Sequence, residues 1–96
     1  MNINFNNNDG VLNIELEGRL DTTTAPELEK FIGENYNGTG FIVINCEKLV
    51  YVSSAGLRVL LSTQKKTKGN MKLTNVCELV MEVLEMTGFA DILVIE

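Results

Sequence analysis

The sequence predicts an α/β fold, a mixed and mainly parallel sheet with elements in the order ββαβαβαβ. Three observations carry that prediction. An alternating apolar pattern opens the chain and breaks at Asn7-Asn8-Asp9-Gly10, as a β-hairpin does. Beyond it, segments with helical spacing alternate with short runs rich in β-branched residues. Such alternation demands crossover connections, and those make neighbouring strands parallel.

Each element follows from its residues. Ile3 and Phe5 alternate with polar neighbours, and Leu12, Ile14 and Leu16 alternate with Asn13, Glu15 and Glu17, so each strand buries one face. Gly18 ends the second strand. Thr24-Ala25-Pro26-Glu27 matches a capping box, with Thr24 as N-cap and Glu27 at the third helical position. Leu28, Phe31 and Ile32 carry that helix toward Tyr36. Phe41-Ile42-Val43-Ile44 is a continuous apolar run and reads as a central strand buried on both faces. Asn45 to Tyr51 reads as a long connection. Ser53 or Ser54 is the natural N-cap of a helix carrying Leu57, Val59, Leu60 and Leu61. Lys65, Lys66 and Lys68 suit the negative end of its dipole, and Gly69 is the expected left-handed residue after it. Met71 and Leu73 mark a short strand. Asn75 is the expected cap of the last helix, with Glu78 in its first turn and Val76, Leu79, Val80, Val83 and Leu84 as its apolar stripe. Gly88 and Phe89 suit a Schellman ending, and Ile92 to Ile95 a final strand.

Composition narrows the function. The chain has 96 residues, 8 basic and 13 acidic, for a net charge of -5. That length suits one domain, residues 1–96, with about 5,500 Å² of folded surface and roughly 60–65% of the extended chain's surface buried. An acidic domain gains nothing from neutralising a phosphate backbone or an anionic bilayer, so neither nucleic acid nor membrane is an expected partner. No apolar run approaches the ~20 residues of a membrane span. The Asn-rich start has no signal-peptide pattern, so a cytoplasmic location is expected. Histidine is absent, which removes His-dependent triads and His-ligated metals. Cys46 and Cys77 are expected to be reduced core residues. No phosphate-cradling loop or calcium loop occurs, and the Ser53-Ser54 segment shows no Ser-x-x-Lys spacing, so no enzymatic activity, metal or cofactor is expected.

The most informative segment runs from Leu49 to Leu61. Its Ser53-Ser54-Ala55-Gly56 stands at the entry to a strongly apolar helix. One reading is a serine cap followed by a glycine that permits close packing. The other is a phosphorylation switch, because a helix N-terminus accommodates a phosphate whose charge of about −1.5 to −2 would spoil a contact surface.

Four segments, in order along the chain, resemble the STAS domain of the bacterial anti-sigma factor antagonist family. Gly18-Arg19-Leu20-Asp21 resembles the family's Gly-x-Leu-Asp after the second strand. Phe41 to Asn45 resembles its central strand, which usually ends in Asp. Ser53 to Leu61 resembles its Asp-Ser-Ser/Thr-Gly-Leu helix start, and Val83 to Gly88 resembles its late helix ending in Thr-Gly. The resemblance implies a single STAS domain with helices on one side of the sheet, expected to be a monomer. It implies binding to an anti-sigma factor, often a serine kinase, with release of a sigma factor. Phosphorylation at the start of the second long helix would abolish binding, and a serine phosphatase would restore it.

The match departs from the family at the critical place. Ala55 falls on the usual acceptor, immediately before Gly56, and has no hydroxyl. Ser54 is then the nearest acceptor and Ser53 the second. The alternative is a constitutive STAS interaction or scaffold module that is not phosphorylated. A nucleotide-binding STAS domain is a third class, which ATP or GTP would stabilise. The expected partner-binding set is Asp21, Ser53, Ser54, Ala55, Gly56 and Arg58. Asp21 is expected either to cap a turn or to lie beside the serine loop, and Arg58 either to meet the partner or to be an ordinary solvated side chain.

Overall fold

The computed structural model describes all of residues 1–96. Strands β1 (Asn2–Asn8) and β2 (Val11–Leu20) form the hairpin, helix α1 (Ala25–Asn35) crosses to β3 (Phe41–Val52), and α2 (Ser54–Lys66) crosses to β4 (Met71–Thr74). Helix α3 (Glu78–Met86) and a 3-10 turn (Phe89–Asp91) follow. The sheet order is β1-β2-β3-β4, with β1 antiparallel to β2 and the other two pairs parallel. The predicted last strand contracts to one parallel bridge, Leu73 to Ile95. There the N–H of Leu73 donates to the carbonyl of Val94 and that of Glu96 to the carbonyl of Leu73, both at 2.9 Å. Asp9 and Gly10 both adopt positive φ, 53° and 79°, the geometry a tight two-residue hairpin turn requires.

One face of the sheet is the core. Leu12, Ile14, Leu16 and Leu20 from β2, Ile42, Ile44, Cys46, Leu49 and Val52 from β3, and Met71 and Leu73 from β4 are buried there. Leu28 and Ile32 of α1, Leu57 and Leu60 of α2, and Val80 and Leu84 of α3 close over them. The accessible surface is 5376 Å², close to what chain length alone leads one to expect. No helix covers the other face. Asn2, Asn4 and Asn6 stand there beside Glu17, Glu15 and Asn13 in register. Their side chains bond across the hairpin at 3.1, 3.4 and 3.3 Å. Helices thus lie on one side only, and Phe41 and Val43 remain half-buried rather than enclosed, so β3 is not buried on both faces.

Three local expectations change. Strand β3 does not stop at Ile44 but pairs with β2 as far as Val52, through register shifts between Glu15 and Glu17 and between Gly18 and Arg19. Each shift adds one residue to β3. Its inward side chains therefore fall at Cys46, Leu49 and Val52, a spacing of three that masks the alternation of an extended strand. Asn75 is not the cap of α3. It sits at φ 54° with its amide donating to Asn45 Oδ1 at 3.1 Å, and Cys77 takes the cap position. Leu79 then faces outward, 54% exposed. At the end of α2, Lys68 occupies the left-handed position (φ 56°), and the N–H groups of Lys68 and Gly69 return to the carbonyls of Lys65 and Gln64. That is the Schellman pattern, one residue ahead of the glycine; at the end of α3, Gly88 takes the expected left-handed position (φ 82°) and its N–H returns to the carbonyl of Glu85 at 3.2 Å.

Candidate functional site

The carboxyl ends of β2 and β3 meet the first turn of α2, where sites on parallel sheets form. Two loops come together there, Asp21 to Thr24 and Val52 to Gly56. Their link is Leu20, the last residue of β2, whose carbonyl oxygen accepts the N–H of Ser53 at 2.9 Å.

The two serines divide the work. Ser53 has extended backbone (φ −98°, ψ 175°) and is the N-cap of α2. Its Oγ accepts the N–H of Gly56 at 3.3 Å, and its carbonyl accepts the N–H of Leu57 at 2.9 Å. Ser54 is the first helical residue, is exposed, and its hydroxyl has no hydrogen-bond partner in the chain. The N–H groups of Ser54 and Ala55 precede the helical ladder and have no carbonyl to bond within it. Ala55 is half-buried and faces α1. Gly56 is buried. A Cβ there would stand 2.9 Å from the Leu20 carbonyl oxygen and 2.7 Å from Leu20 Cγ, so only glycine lets α2 start this close to β2. Arg58 projects into solvent one turn beyond Ser54 and takes part in no ion pair.

Asp21 is a turn cap. Its Oδ1 accepts the N–H groups of Thr23 and Thr24 at 3.0 and 3.1 Å and the Thr24 hydroxyl at 3.2 Å. Its own carbonyl accepts the N–H of Ala25 at 2.8 Å. This displaces the expected capping box. Thr24 lies at the N-cap position, but its hydroxyl donates to the carbonyl of Arg19 at 2.7 Å and accepts the N–H of Asp21 at 2.8 Å. The Asp21 carboxyl is held below its usual value, chiefly by the Thr24 N–H; partial desolvation opposes this, and the Thr23 N–H, the Thr24 hydroxyl and Arg19 add to it.

One pair escaped the sequence reading. Arg19 stacks its guanidinium over the ring of Tyr51, 4.1 Å from the centroid, with Asp21 Oδ2 3.8 Å from its Nε. Cation–π stacking of this kind orients an arginine without neutralising it. Arg19 and Tyr51 are register partners, but only because of the added residues in β3, so no periodicity in the sequence shows it.

No group of three His, Cys, Asp or Glu side chains converges anywhere in the chain. No helix is long and apolar enough to cross a membrane. What the arrangement offers is an exposed, unengaged hydroxyl on a rigid helix start, with charged side chains on both sides.

Comparisons with known proteins agree with this geometry. The profile of the STAS domain matches residues 2–96. The anti-sigma-B factor antagonist of Staphylococcus aureus (strain NCTC 8325 / PS 47) is 30% identical over 97 residues, covering 97% of this chain and 90% of that protein. Among solved structures, an anti-sigma factor antagonist from Mycobacterium paratuberculosis superposes with a TM-score of 0.86 at 23% identity, covering 98% of this chain and 83% of the other. The Bacillus cell fate determinant SpoIIAA in its phosphorylated form superposes with a TM-score of 0.71 at 18% identity, covering 99% and 91%. At those identities the structures speak for the fold. The profile match spans all but the first residue and the Staphylococcus relative is matched over nearly its whole length, so the chain belongs to the STAS domain family.

Proposed function

We propose that this domain is an anti-sigma factor antagonist, a cytoplasmic monomer that binds rather than catalyses. Unmodified, it docks the Asp21 turn and the first turn of α2 onto an anti-sigma factor and so releases a sigma factor. Asp21, Ser53, Ser54, Ala55, Gly56 and Arg58 form the contact. The partner is a serine kinase, which transfers the γ-phosphoryl group of ATP to Ser54. The Ser54 Oγ–P bond forms, the bond from phosphorus to the ADP oxygen breaks, and the hydroxyl proton leaves to a base of the kinase. A serine phosphatase reverses the step.

The observation that carries this reading is the unequal state of the two serines. Ser53 spends its hydroxyl on the cap of α2, whereas the hydroxyl of Ser54 is exposed and unbonded. Ser54 therefore takes the role that Ala55 cannot fill. A phosphate there adds about −1.5 to −2 charge to a surface that must lose water on docking, with the helix core untouched. The chain's relatives named anti-sigma factor antagonists support the partner class. The alanine at position 55 favours the second reading, a constitutive module.

The test sets wild type, Ser54→Asp and Ser54→Ala side by side against the source organism's anti-sigma factors. Capture of a kinase-like anti-sigma factor by wild type and Ser54→Ala but not by Ser54→Asp is expected, with one phosphate on Ser54 after incubation with that kinase and ATP. Equal capture by all three with no phosphate incorporated would leave the constitutive module standing.

A further inference from the structure

Charge on this acidic molecule is segregated. The stretch from Ser53 to Asn70 holds four of its eight basic residues, Arg58, Lys65, Lys66 and Lys68, and none of its 13 acidic ones. None of these four makes an ion pair, while Arg19, Lys48 and Lys72 elsewhere each meet a carboxylate. Helix α2 is thus the one cationic surface of the domain, and its charge is unspent.

Two of the four, Arg58 and Lys65, line a groove of about 530 Å³ between α1 and α2. It is lined on α1 by buried Ala25 and exposed Pro26, and on α2 by half-buried Ala55 and Leu61. The small side chains sit at the end nearest Ser54, where a third helix can come close to both of its neighbours. Arg58 and Lys65 are seven residues apart, about 10.5 Å along the axis, or two turns. No aromatic side chain lines the groove, so a nucleotide base would find nothing to stack on.

We infer that this groove receives an acidic amphipathic helix of the anti-sigma factor, with aliphatic residues on Pro26 and Ala55 and two carboxylates two turns apart on Arg58 and Lys65. The inference rests on the proposed function for the identity of the partner. It also gives the switch an electrostatic cause. A phosphate on Ser54 stands beside Ala55 at the mouth of the groove, where it repels an acidic helix and competes for Arg58 one turn away. Glu29, the acidic residue among the groove's lining, opposes the same helix weakly.

The experiment is calorimetric titration of the full chain against each purified recombinant anti-sigma factor of the source organism, at 50 and 300 mM salt. Wild type is compared with the groove reversal Arg58→Glu/Lys65→Glu. The control is Lys66→Glu/Lys68→Glu, which changes net charge equally outside the groove. All the reversed side chains are exposed, and circular dichroism checks that both variants fold. The groove reversal is expected to weaken binding at least about 30-fold, the control less than about 3-fold, and Glu29→Gln is expected to tighten it. The penalty of Ser54→Asp is expected to shrink at 300 mM salt, as screening requires. Equal effects of the two reversals, or none, would overturn the groove and leave the antagonist reading intact. Failure of wild type to bind any of these anti-sigma factors would remove both.

Discussion

The N–H of Ser53 donates to the carbonyl oxygen of Leu20 at 2.9 Å, and through that bond the start of α2 is fastened to the end of β2. The same carbonyl lies under Gly56. The position of Ser54 in space is therefore set by a strand end more than thirty residues earlier in the chain, and the site inherits the rigidity of the sheet.

Gly56→Ala should expose that dependence. The new methyl group meets the Leu20 carbonyl and side chain, and the backbone must shift to admit it. A loss of about 2 kcal/mol is expected from such overpacking, read as a lower urea midpoint with unchanged slope. A midpoint equal to wild type would mean that α2 is free to move away from β2.

The two serines should separate in stability as they do in structure. Ser53→Ala removes the oxygen that accepts the Gly56 N–H and should cost about 1 kcal/mol. Ser54→Ala removes a hydroxyl with no partner and should stay within about 0.5 kcal/mol of wild type. Thermal or chemical unfolding of the two variants in parallel would decide this, and the reverse ranking would assign the cap to Ser54.

Acid should reveal Asp21. Its folded carboxyl is held below the ordinary value of 3.8, so its charged form stabilises the fold above that value. That contribution is lost as pH falls through the lowered folded value. Wild type is expected to exceed Asp21→Asn in stability at pH 7, and the gap is expected to close below about pH 4. Urea midpoints of both proteins between pH 7 and pH 2 would show it. A gap independent of pH would mean that the N–H groups of Thr23 and Thr24 do not need the charge.

The two thiols should differ in reactivity. Burial, with a further push from Cys77, raises Cys46 to about 12, and its side chain has almost no exposed surface. Cys77 is only half-buried. At pH 8 an alkylating reagent should modify Cys77 in the native protein and Cys46 only at the rate of global opening. Peptide mapping after timed quenching measures both, and equal labelling would require β3 to open locally.

Much of this was readable in the sequence because the signals were local. The Asp9-Gly10 turn, the alternation in β2 and the apolar spacing in α1 and α2 each lie within a few residues of one another. The serines at the entry to α2 were legible as caps for the same reason, but the strand ends before the site were not: β2 runs past Gly18 to Leu20, and β3 past Ile44 to Val52. The misreadings had non-local causes. Strand β3 looked like a loop after Ile44 because two added residues broke its period. Asn75 looked like a cap, but its amide bonds to Asn45, thirty residues away. Thr24-to-Glu27 had the letters of a capping box, but Asp21 had already claimed the turn. Between Ser53 and Ser54 the sequence offered two equal caps, and only the backbone angles distinguish them.

The two added residues in β3 have one more consequence. They set where β3 resumes its inward pattern, at Leu49 and Val52, and Val52 also packs under Gly56 at the start of α2. A one-residue insertion or deletion near Glu47 or Val50 would re-aim the first turn of α2 like a rifle barrel on a fixed mount. The aim of that helix thus depends on how many residues β3 holds between Asn45 and Val52.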